Sequence, residues 1–249
     1  GGSIGIGFSV PSNLASSVID QLVEFGETRR GWLGVRIQTV TPEIAESLGM
    51  ERARGALVAG VTEDGPAANS DIKAGDVILS FNGTDVDEMR QLPRIVADTP
   101  IGETVDVVVM RDGEEQTIKV EVGRLEAATE TAENETTEEA EPEQPAAEQG
   151  VDVLGLQVGE LTDARREEFS IGPDLQGVVV LEVKPEGPAK DKGIEAGFVI
   201  SEVSQERVRT PAEFEDAVER LKGMGRKSAL LLTANPQGEL QFIVVPFED

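Results

Sequence analysis

Residues 55–75 read GALVAGVTEDGPAANSDIKAG, and residues 177–197 read GVVVLEVKPEGPAKDKGIEAG. Both stretches contain Gly-x-x-Val, Gly-Pro-Ala and Ile-x-Ala-Gly, and every match falls at the same offset of 122 positions. With one residue of slack, the tripeptide LGV at 33–35 also aligns with LGL at 154–156. The repeated unit then covers about 95 residues, which is the size of a small domain. The pattern predicts a duplicated domain.

Each unit mixes short β-prone segments with helical patterns. Residues 32–37 are mostly apolar and predict a strand, and Thr41 has the position of an N-cap before a short helix. Residues 87–97 carry apolar side chains at helical spacing, and residues 105–122 predict a hairpin around an Asp-Gly turn. The predicted fold class is α+β, with two small antiparallel β-sandwich or barrel domains capped by helices.

The chain divides by composition as well. Residues 126–150 hold nine Glu and neither Lys nor Arg, which predicts a flexible acidic linker that separates residues 29–125 from residues 151–249 and lets them reorient. An acidic recognition tail is the alternative interpretation. Residues 1–28 do not belong to the repeat and predict a Gly-rich strand followed by an amphipathic helix.

The composition excludes several functions. The formal charge is −26, from 48 acidic and 22 basic residues, and this argues against nucleic acid or anionic lipid as a partner. The absence of Cys and His removes thiolate chemistry, the commonest metal ligand and a Ser-His-Asp triad. Paired carboxylates remain possible in principle, but their runs are typical of a solvated surface. We therefore predict no enzymatic activity in this chain, no cofactor and no metal site.

Two further segments carry a family resemblance. Residues 3–13, SIGIGFSVPSN, and residues 30–35, RGWLGV, resemble the HtrA serine proteases of the DegP/DegQ type, which have two C-terminal PDZ domains. The resemblance implies that residues 1–28 are the last strand and exit helix of a trypsin-like protease domain. It implies that residues 29–125 and 151–249 are the two PDZ domains, and that the chain begins after the catalytic residues.

The family's full protein is a periplasmic, ATP-independent endopeptidase and chaperone of protein quality control, which forms trimers and larger cages. The resemblance therefore implies a periplasmic localisation and, as partners, the parent's protease domain together with peptides and misfolded proteins that have apolar C-termini. Because the missing protease domain holds the family's trimers together, we expect this chain alone to be a monomer. The alternative is a stand-alone two-PDZ scaffold or oligomerisation module.

The resemblance also implies a peptide-binding site in the first module. A PDZ groove takes an extended peptide as an added strand, and backbone amides receive its terminal carboxylate. We expect the carboxylate loop to consist of Gly31, Trp32, Leu33 and Gly34, and the pairing strand that lines the pocket to include Val35 and Ile37. The groove helix would supply the opposite wall through Leu92, Ile95 and Val96. A nearby cation would be Arg30, with Arg29 as its alternative. The apolar members could instead be ordinary core residues, and the arginines could be solvated.

The second module has a weaker version of this site. Its equivalent residues are Val153, Leu154, Gly155 and Leu156, but Asp152 precedes them and would repel a peptide carboxylate. The second copy also carries Phe198 in place of Asp76 and Ser204-Gln205 in place of the Asn82-Gly83 turn. We expect the second module to serve assembly or inter-domain contact rather than substrate capture.

Overall fold

The computed structural model describes residues 19, 22, 23, 30–111, 113–124, 151–185 and 187–247. The predicted N-terminal strand and the predicted acidic linker lie outside these residues, whereas residues 19, 22 and 23 of the predicted N-terminal helix are helical. The remaining described residues form two modules of antiparallel strands and short helices, so the predicted α+β class is confirmed.

The strands of the first module are β1 (Gly31–Trp32), β2 (Val35–Thr39), β3 (Ala56–Val61), β4 (Val77–Phe81), β5 (Thr84–Asp85), β6 (Thr104–Arg111), β7 (Glu114–Glu121) and β8 (Gly123–Arg124), and its helices are α1 (Pro42–Ser47) and α2 (Leu92–Asp98). They form a sheet in the order β2-β3-β4-β6-β7, with β5 paired to β4 and a separate β1-β8 pair. A 3-10 turn at Pro66–Asn69 follows β3.

The elements of the second module are β9 (Val151–Val153), β10 (Leu156–Glu160), α3 (Asp163–Phe169), β11 (Val178–Val183), β12 (Val199–Val203), β13 (Glu206–Arg207), α4 (Pro211–Gly223), β14 (Ser228–Ala234) and β15 (Leu240–Pro246). Its sheet has the order β15-β14-β12-β11-β10-β9, with β13 paired to β12. The sheet resembles that of the first module, but an additional strand, β9, covers the outer edge of β10, and the described residues contain no counterpart of the β1-β8 pair.

Local signals fix most helix ends. Thr41 is the N-cap of α1 as predicted, and its hydroxyl accepts a hydrogen bond from a first-turn amide at 3.3 Å. The helix predicted over residues 87–97 is different in the structure, where a 3-10 turn at Met89–Gln91 comes first and α2 begins only one residue before Pro93. Proline has no amide hydrogen and fits only the first helical turn, so the α-helix cannot begin much earlier than this residue.

Two predicted β segments also have clear outcomes. The strand expected over residues 32–37 is interrupted between β1 and β2, because Gly34 adopts the left-handed conformation with φ 73°. The hairpin expected over residues 105–122 is present, since β6 and β7 pair antiparallel along their whole length.

Each module has its own apolar core, and some strands are buried on both faces. In β3, Ala56 and Val58 face the core of the first module, whereas Leu57 and Ala59 face away from it. In β14, Leu231 faces the core of the second module and Leu230 faces away. The residues that face away meet one another in a shared cluster between the modules.

This shared cluster, which we call the inter-module core, lies between the two modules. It joins buried side chains of α1, β3 and β4 to buried side chains of β14 and β15. The first module contributes Val40, Ile44, Ala45, Leu57, Ala59, Val77 and Leu79, and the second contributes Leu230, Leu232, Phe242 and Val244. The sequence left open whether the modules touch, and the burial of these apolar faces holds them together.

Hydrogen bonds surround the inter-module core. The Gln38 side chain donates to the backbone oxygen of Phe242 at 2.9 Å and accepts from its amide at 2.8 Å. Gln205 donates to the Gly75 carbonyl at 3.0 Å, and Lys192 pairs with Glu43 at 2.8 Å. Because Gln38 bonds to backbone rather than to a mobile side chain, it fixes the position of β15 against β2.

Candidate functional site

The predicted carboxylate loop of the first module is held by close backbone packing. A Cβ at Gly31 would overlap the Val96 carbonyl oxygen, and a Cβ at Gly34 would lie 2.7 Å from the Cα of Gly65. We expected these glycines mainly to uncover amides for an anion. The structure shows that they also allow the loop to lie against the helix and the neighbouring turn, which no larger residue would permit.

The orientation of the loop's peptide groups follows from its hydrogen bonds. The carbonyl of Leu33 accepts from the Ala67 amide at 2.9 Å, and the carbonyl of Gly34 accepts from the Thr62 amide at 2.8 Å. Among the described residues, the amides of Leu33 and Gly34 donate to no other group. These two backbone amides at the start of β2 therefore have no partner among the described residues, and they belong to residues predicted to bind a carboxylate.

The strand that follows presents an open edge. Among the residues that the structure describes, β2 is the last strand of its sheet and pairs with β3 alone. Val35 lies opposite Val61, and the Gly34 carbonyl accepts a hydrogen bond from the amide of Thr62, the residue after Val61. Val35 is therefore at a non-hydrogen-bonded position of the β2-β3 ladder, so its own amide and carbonyl point away from β3. Val35 and Ile37 are half-buried against the core, so both contribute a partly exposed apolar surface beside the edge.

The helical wall is only partly as predicted. Leu92 and Val96 are buried in the core of the first module, whereas Ile95 is half-buried and keeps exposed surface. Met89, which we did not single out, is a second half-buried apolar residue there, and its 3-10 turn packs beside β2. Its position three residues before Leu92, on the same helical face, was the sequence signal for it.

The remaining predicted residues have distinct surroundings. Leu33 is 3% exposed, so its side chain belongs to the core and only its backbone can contact a ligand. Trp32 is half-buried in β1, which pairs with β8 and packs against α2. Arg30 is solvent-exposed beside the loop.

In the second module the equivalent residues form a hairpin. Val153 pairs with Leu156 across a two-residue turn, in which Leu154 has φ 59° and Gly155 has φ 71°. Left-handed torsions at both central positions are typical of tight β-hairpins. The Gly155 carbonyl accepts from the Lys184 amide at 2.8 Å, as Gly34 does from its own neighbouring strand end.

The environment of Asp152 differs from our expectation. Its carboxylate pairs with the Lys184 ammonium at 2.5 Å, so its charge is balanced within the module. Among the described residues, the two sites also differ in that β9 covers the β10 edge. The turns have also kept their shape, because Ser204 and Gln205 adopt φ 46° and 71° where Asn82 and Gly83 adopt 48° and 73°.

A polar cleft of about 1100 Å³ lies between the modules. Glu202 lines it, and burial raises the pKa of this carboxyl, although nearby Arg207 acts in the opposite direction. The cleft also contains the ion pair between Asp76 and Arg111, in which both guanidinium bonds to the carboxylate measure 2.7 Å. Its acidic and basic groups are mixed, so its charge favours no single class of ligand.

Two PDZ domain models match this chain, one over residues 2–122 and one over residues 144–233. The chain is 37% identical over 247 residues to the "Probable periplasmic serine endoprotease DegP-like" of Brucella suis, an alignment of 99% of this chain and 45% of that protein. It is 36% identical over 245 residues to the protein of the same name from Hahella chejuensis, covering 98% of this chain and 49% of that one. The chain thus spans about half the length of the curated relatives it matches.

Among solved structures, the "HtrA-type protease AlgW with decapeptide" is 44% identical over 50% of this chain and 38% of that chain, with a TM-score of 0.44. The serine endoprotease from Yersinia pestis is 29% identical over 49% of this chain and 39% of that chain, with a TM-score of 0.39. The predicted family resemblance is confirmed, and the relatives' names agree with the predicted periplasmic compartment. In the part of the chain that the structure describes, every helix is too short or too polar to cross a membrane.

Proposed function

We propose that the first module of this chain binds the free C-terminal ends of peptides and unfolded proteins by strand addition. The chain belongs to the PDZ-domain family and has two such domains in tandem. The observation that carries the proposal is the open β2 edge, which begins at two backbone amides without protein partners among the described residues. An incoming strand would bond to the Val35 backbone, and its carboxylate would lie at the amides of Leu33 and Gly34.

Selectivity in this proposal comes from the apolar surface beside the edge. Val35, Ile37, Met89 and Ile95 are all half-buried around the core of the first module. A terminal apolar side chain can cover these surfaces and be removed from water itself, which favours apolar C-termini over polar ones. Exposed C-termini of this kind are common in misfolded proteins, and they are the proposed substrates.

The role of the chain within a longer protein is part of the proposal. The relatives are named serine endoproteases and are about twice as long as the matched region. With no His among its 249 residues, this chain cannot supply a Ser-His-Asp triad. We therefore assign it substrate recognition and regulation for a periplasmic protease and chaperone, whose protease domain would perform the cleavage and hold the trimer. By itself the chain would be monomeric.

The test uses the single tryptophan as a reporter. Trp32 fluorescence is followed while a short peptide with an apolar C-terminal residue is added, and the same peptide with an amidated C-terminus is the matched control. We expect saturable binding of the free acid with a Kd on the order of micromolar, and no response to the amide. Equal responses to the two peptides would contradict carboxylate capture.

A pair of variants tests the apolar wall. Ile95→Ala removes half-buried surface from α2 and should weaken binding about 10-fold. Arg94→Ala changes the adjacent exposed residue of the same helix and should leave the Kd unchanged. If both variants weaken binding equally, the wall is not where we place it.

A further inference from the structure

The outer edge of β10 already carries a strand. β9 pairs with it antiparallel, with Val153 opposite Leu156, Asp152 opposite Gln157 and Val151 opposite Val158. The corresponding edge of β2 in the first module carries no strand among the described residues. β9 therefore lies where a peptide would lie if it added to the second module.

The direction of β9 is also that of a ligand. The loop at Leu154 and Gly155 immediately precedes β10, so an antiparallel strand on this edge has its C-terminal end at the loop. Val153 is that end, and its partner Leu156 is the residue that aligns with Val35 of the first module. β9 thus presents an apolar last residue at the position that we propose for a peptide's terminal residue.

The side chains of β9 alternate as those of a bound peptide would. Val151 and Val153 are partly buried against the core of the second module, and Asp152 between them is exposed and paired with Lys184. Helix α4 packs against both β9 and β10. Beside Val153, a pocket of about 420 Å³ is lined by Val218 and by polar residues of α4.

The turn that returns the chain to β10 is unusual for its residues. Leu154 has φ 59°, a torsion that residues with a Cβ rarely adopt, whereas the aligned Leu33 of the first module is outside this region. Leu154 is nevertheless buried in the core. The packing of this leucine therefore holds a tight turn that keeps β9 on the edge.

From these observations we propose that the second module contains a latent peptide-binding groove, and that β9 occupies it as a built-in ligand. The groove would accept the same class of ligand as the first module, an extended peptide with an apolar C-terminal residue, but only when β9 leaves. The proposal rests on the strand-addition function proposed above and concerns a separate edge. A ligand in the same chain acts at an effective concentration of about millimolar or more, so free peptide is outcompeted.

Opening the groove is the first test. In the 249-residue chain, Val151→Ser with Val153→Ser removes the apolar anchors of β9 and leaves β10 and α4 unchanged. Isotope-labelled wild-type and variant chains are titrated with the free-acid peptide and followed by NMR. We expect wild-type shifts at β2 and α2 only, and additional shifts at β10 and α4 in the variant. The apparent Kd at β10 should fall at least about 10-fold, because the competing closed state is depopulated.

Locking the groove is the second test, and it does not depend on the stability of the serine variant. Asp152 and Gln157 are exposed partners at a non-hydrogen-bonded position, where Cα atoms lie close enough for a disulfide. The chain has no native Cys, so Asp152→Cys with Gln157→Cys gives a single possible bridge. We expect quantitative oxidation with an unchanged spectrum elsewhere, and no peptide response at β10.

Three results would overturn the proposal. One is a wild-type response at β10 as strong as that of the serine variant. The second is a folded serine variant that shows no response at β10 or α4. The third is a folded cysteine variant that does not form the bridge. A missing response at β2, with a retained response at β10 in the serine variant, would instead count against the function proposed for the first module.

Discussion

The two modules share the glycine contact of this loop but differ in the route of the segment before it. In both, a loop glycine lies against a glycine of the neighbouring turn, Gly34 on Gly65 and Gly155 on Gly187. The modules differ at the preceding leucine, since Leu154 is left-handed and Leu33 is not. The comparison teaches that one backbone torsion decides the route of the preceding segment. In the first module this segment is β1, which pairs with β8, the last described strand of that module. In the second module it is β9, which folds back and pairs with β10.

The largest expected effect concerns a position that differs between the modules, where Asp76 of the first aligns with Phe198 of the second. Asp76 is 1% exposed and binds Arg111 through both carboxylate oxygens. Asp76→Ala should lower the free energy of unfolding of the first module by about 3–5 kcal/mol, because it leaves the arginine without its buried counter-charge. Urea unfolding measures this loss. The double variant with Arg111→Met should recover part of it, and an equal or larger loss there would contradict the ion-pair explanation.

The shared loop geometry predicts equal effects in the two modules. Gly34→Ala and Gly155→Ala each place a Cβ at a left-handed residue and within 3 Å of a glycine Cα. Each should cost about 2–3 kcal/mol of its module's stability. The matched control is Gly113→Ala, where φ is 81° and the space around the new Cβ is open. Gly113→Ala should lower the free energy of unfolding by only about 1 kcal/mol. If it destabilised the protein as much as the other two variants do, the backbone torsion alone would explain the loss, without the close contact between glycines.

The contact between the modules should yield a smaller effect. Gln38→Ala removes two hydrogen bonds to the Phe242 backbone, which together contribute about 1–2 kcal/mol. We expect the two modules to unfold in more widely separated urea transitions than in the wild type. Gln116→Ala, at an exposed position of β7, is the control and should change neither transition. Unchanged cooperativity in Gln38→Ala would mean that the apolar cluster alone joins the modules.

The smallest effect concerns pH at the cleft between the modules. Burial raises the folded-state pKa of Glu202 above its ordinary value of 4.5, so the folded state binds a proton more tightly than the unfolded state does. Its stabilising contribution is complete below pH 4.5 and is lost as the pH rises through the folded-state pKa. Glu202→Gln should remove this part of the pH dependence of the urea midpoint. An identical profile in wild type and variant would contradict it.

Much of the fold could be predicted because its signals are local or repeated. The constant offset between residues 55–75 and residues 177–197 indicated two copies, and Thr41 marked a helix start. β9 could not be predicted in the same way. Three residues are too few for a periodicity, and Leu154-Gly155 is not a typical turn pair for a tight hairpin. In α2, the depth of Leu92 and Val96 depends on packing, which spacing does not determine.

The inter-module core did have a sequence signal. An antiparallel strand with one solvated face alternates apolar and polar residues, but β3 reads ALVAGV and β14 reads SALLLTA. Runs of this kind indicate strands covered on both faces. What the runs do not reveal is the identity of the second cover, and here it is the other module.

The Gln38 contact would also affect the entropy of the peptide binding that we propose. Gln38 is part of β2, the proposed acceptor strand, and its side chain ties that strand to the Phe242 backbone of the second module. An edge strand that is already ordered by a neighbouring domain loses little further conformational freedom when a ligand pairs with it. In the proposed binding mode, the second module would thus pre-organise the acceptor strand of the first without touching the peptide.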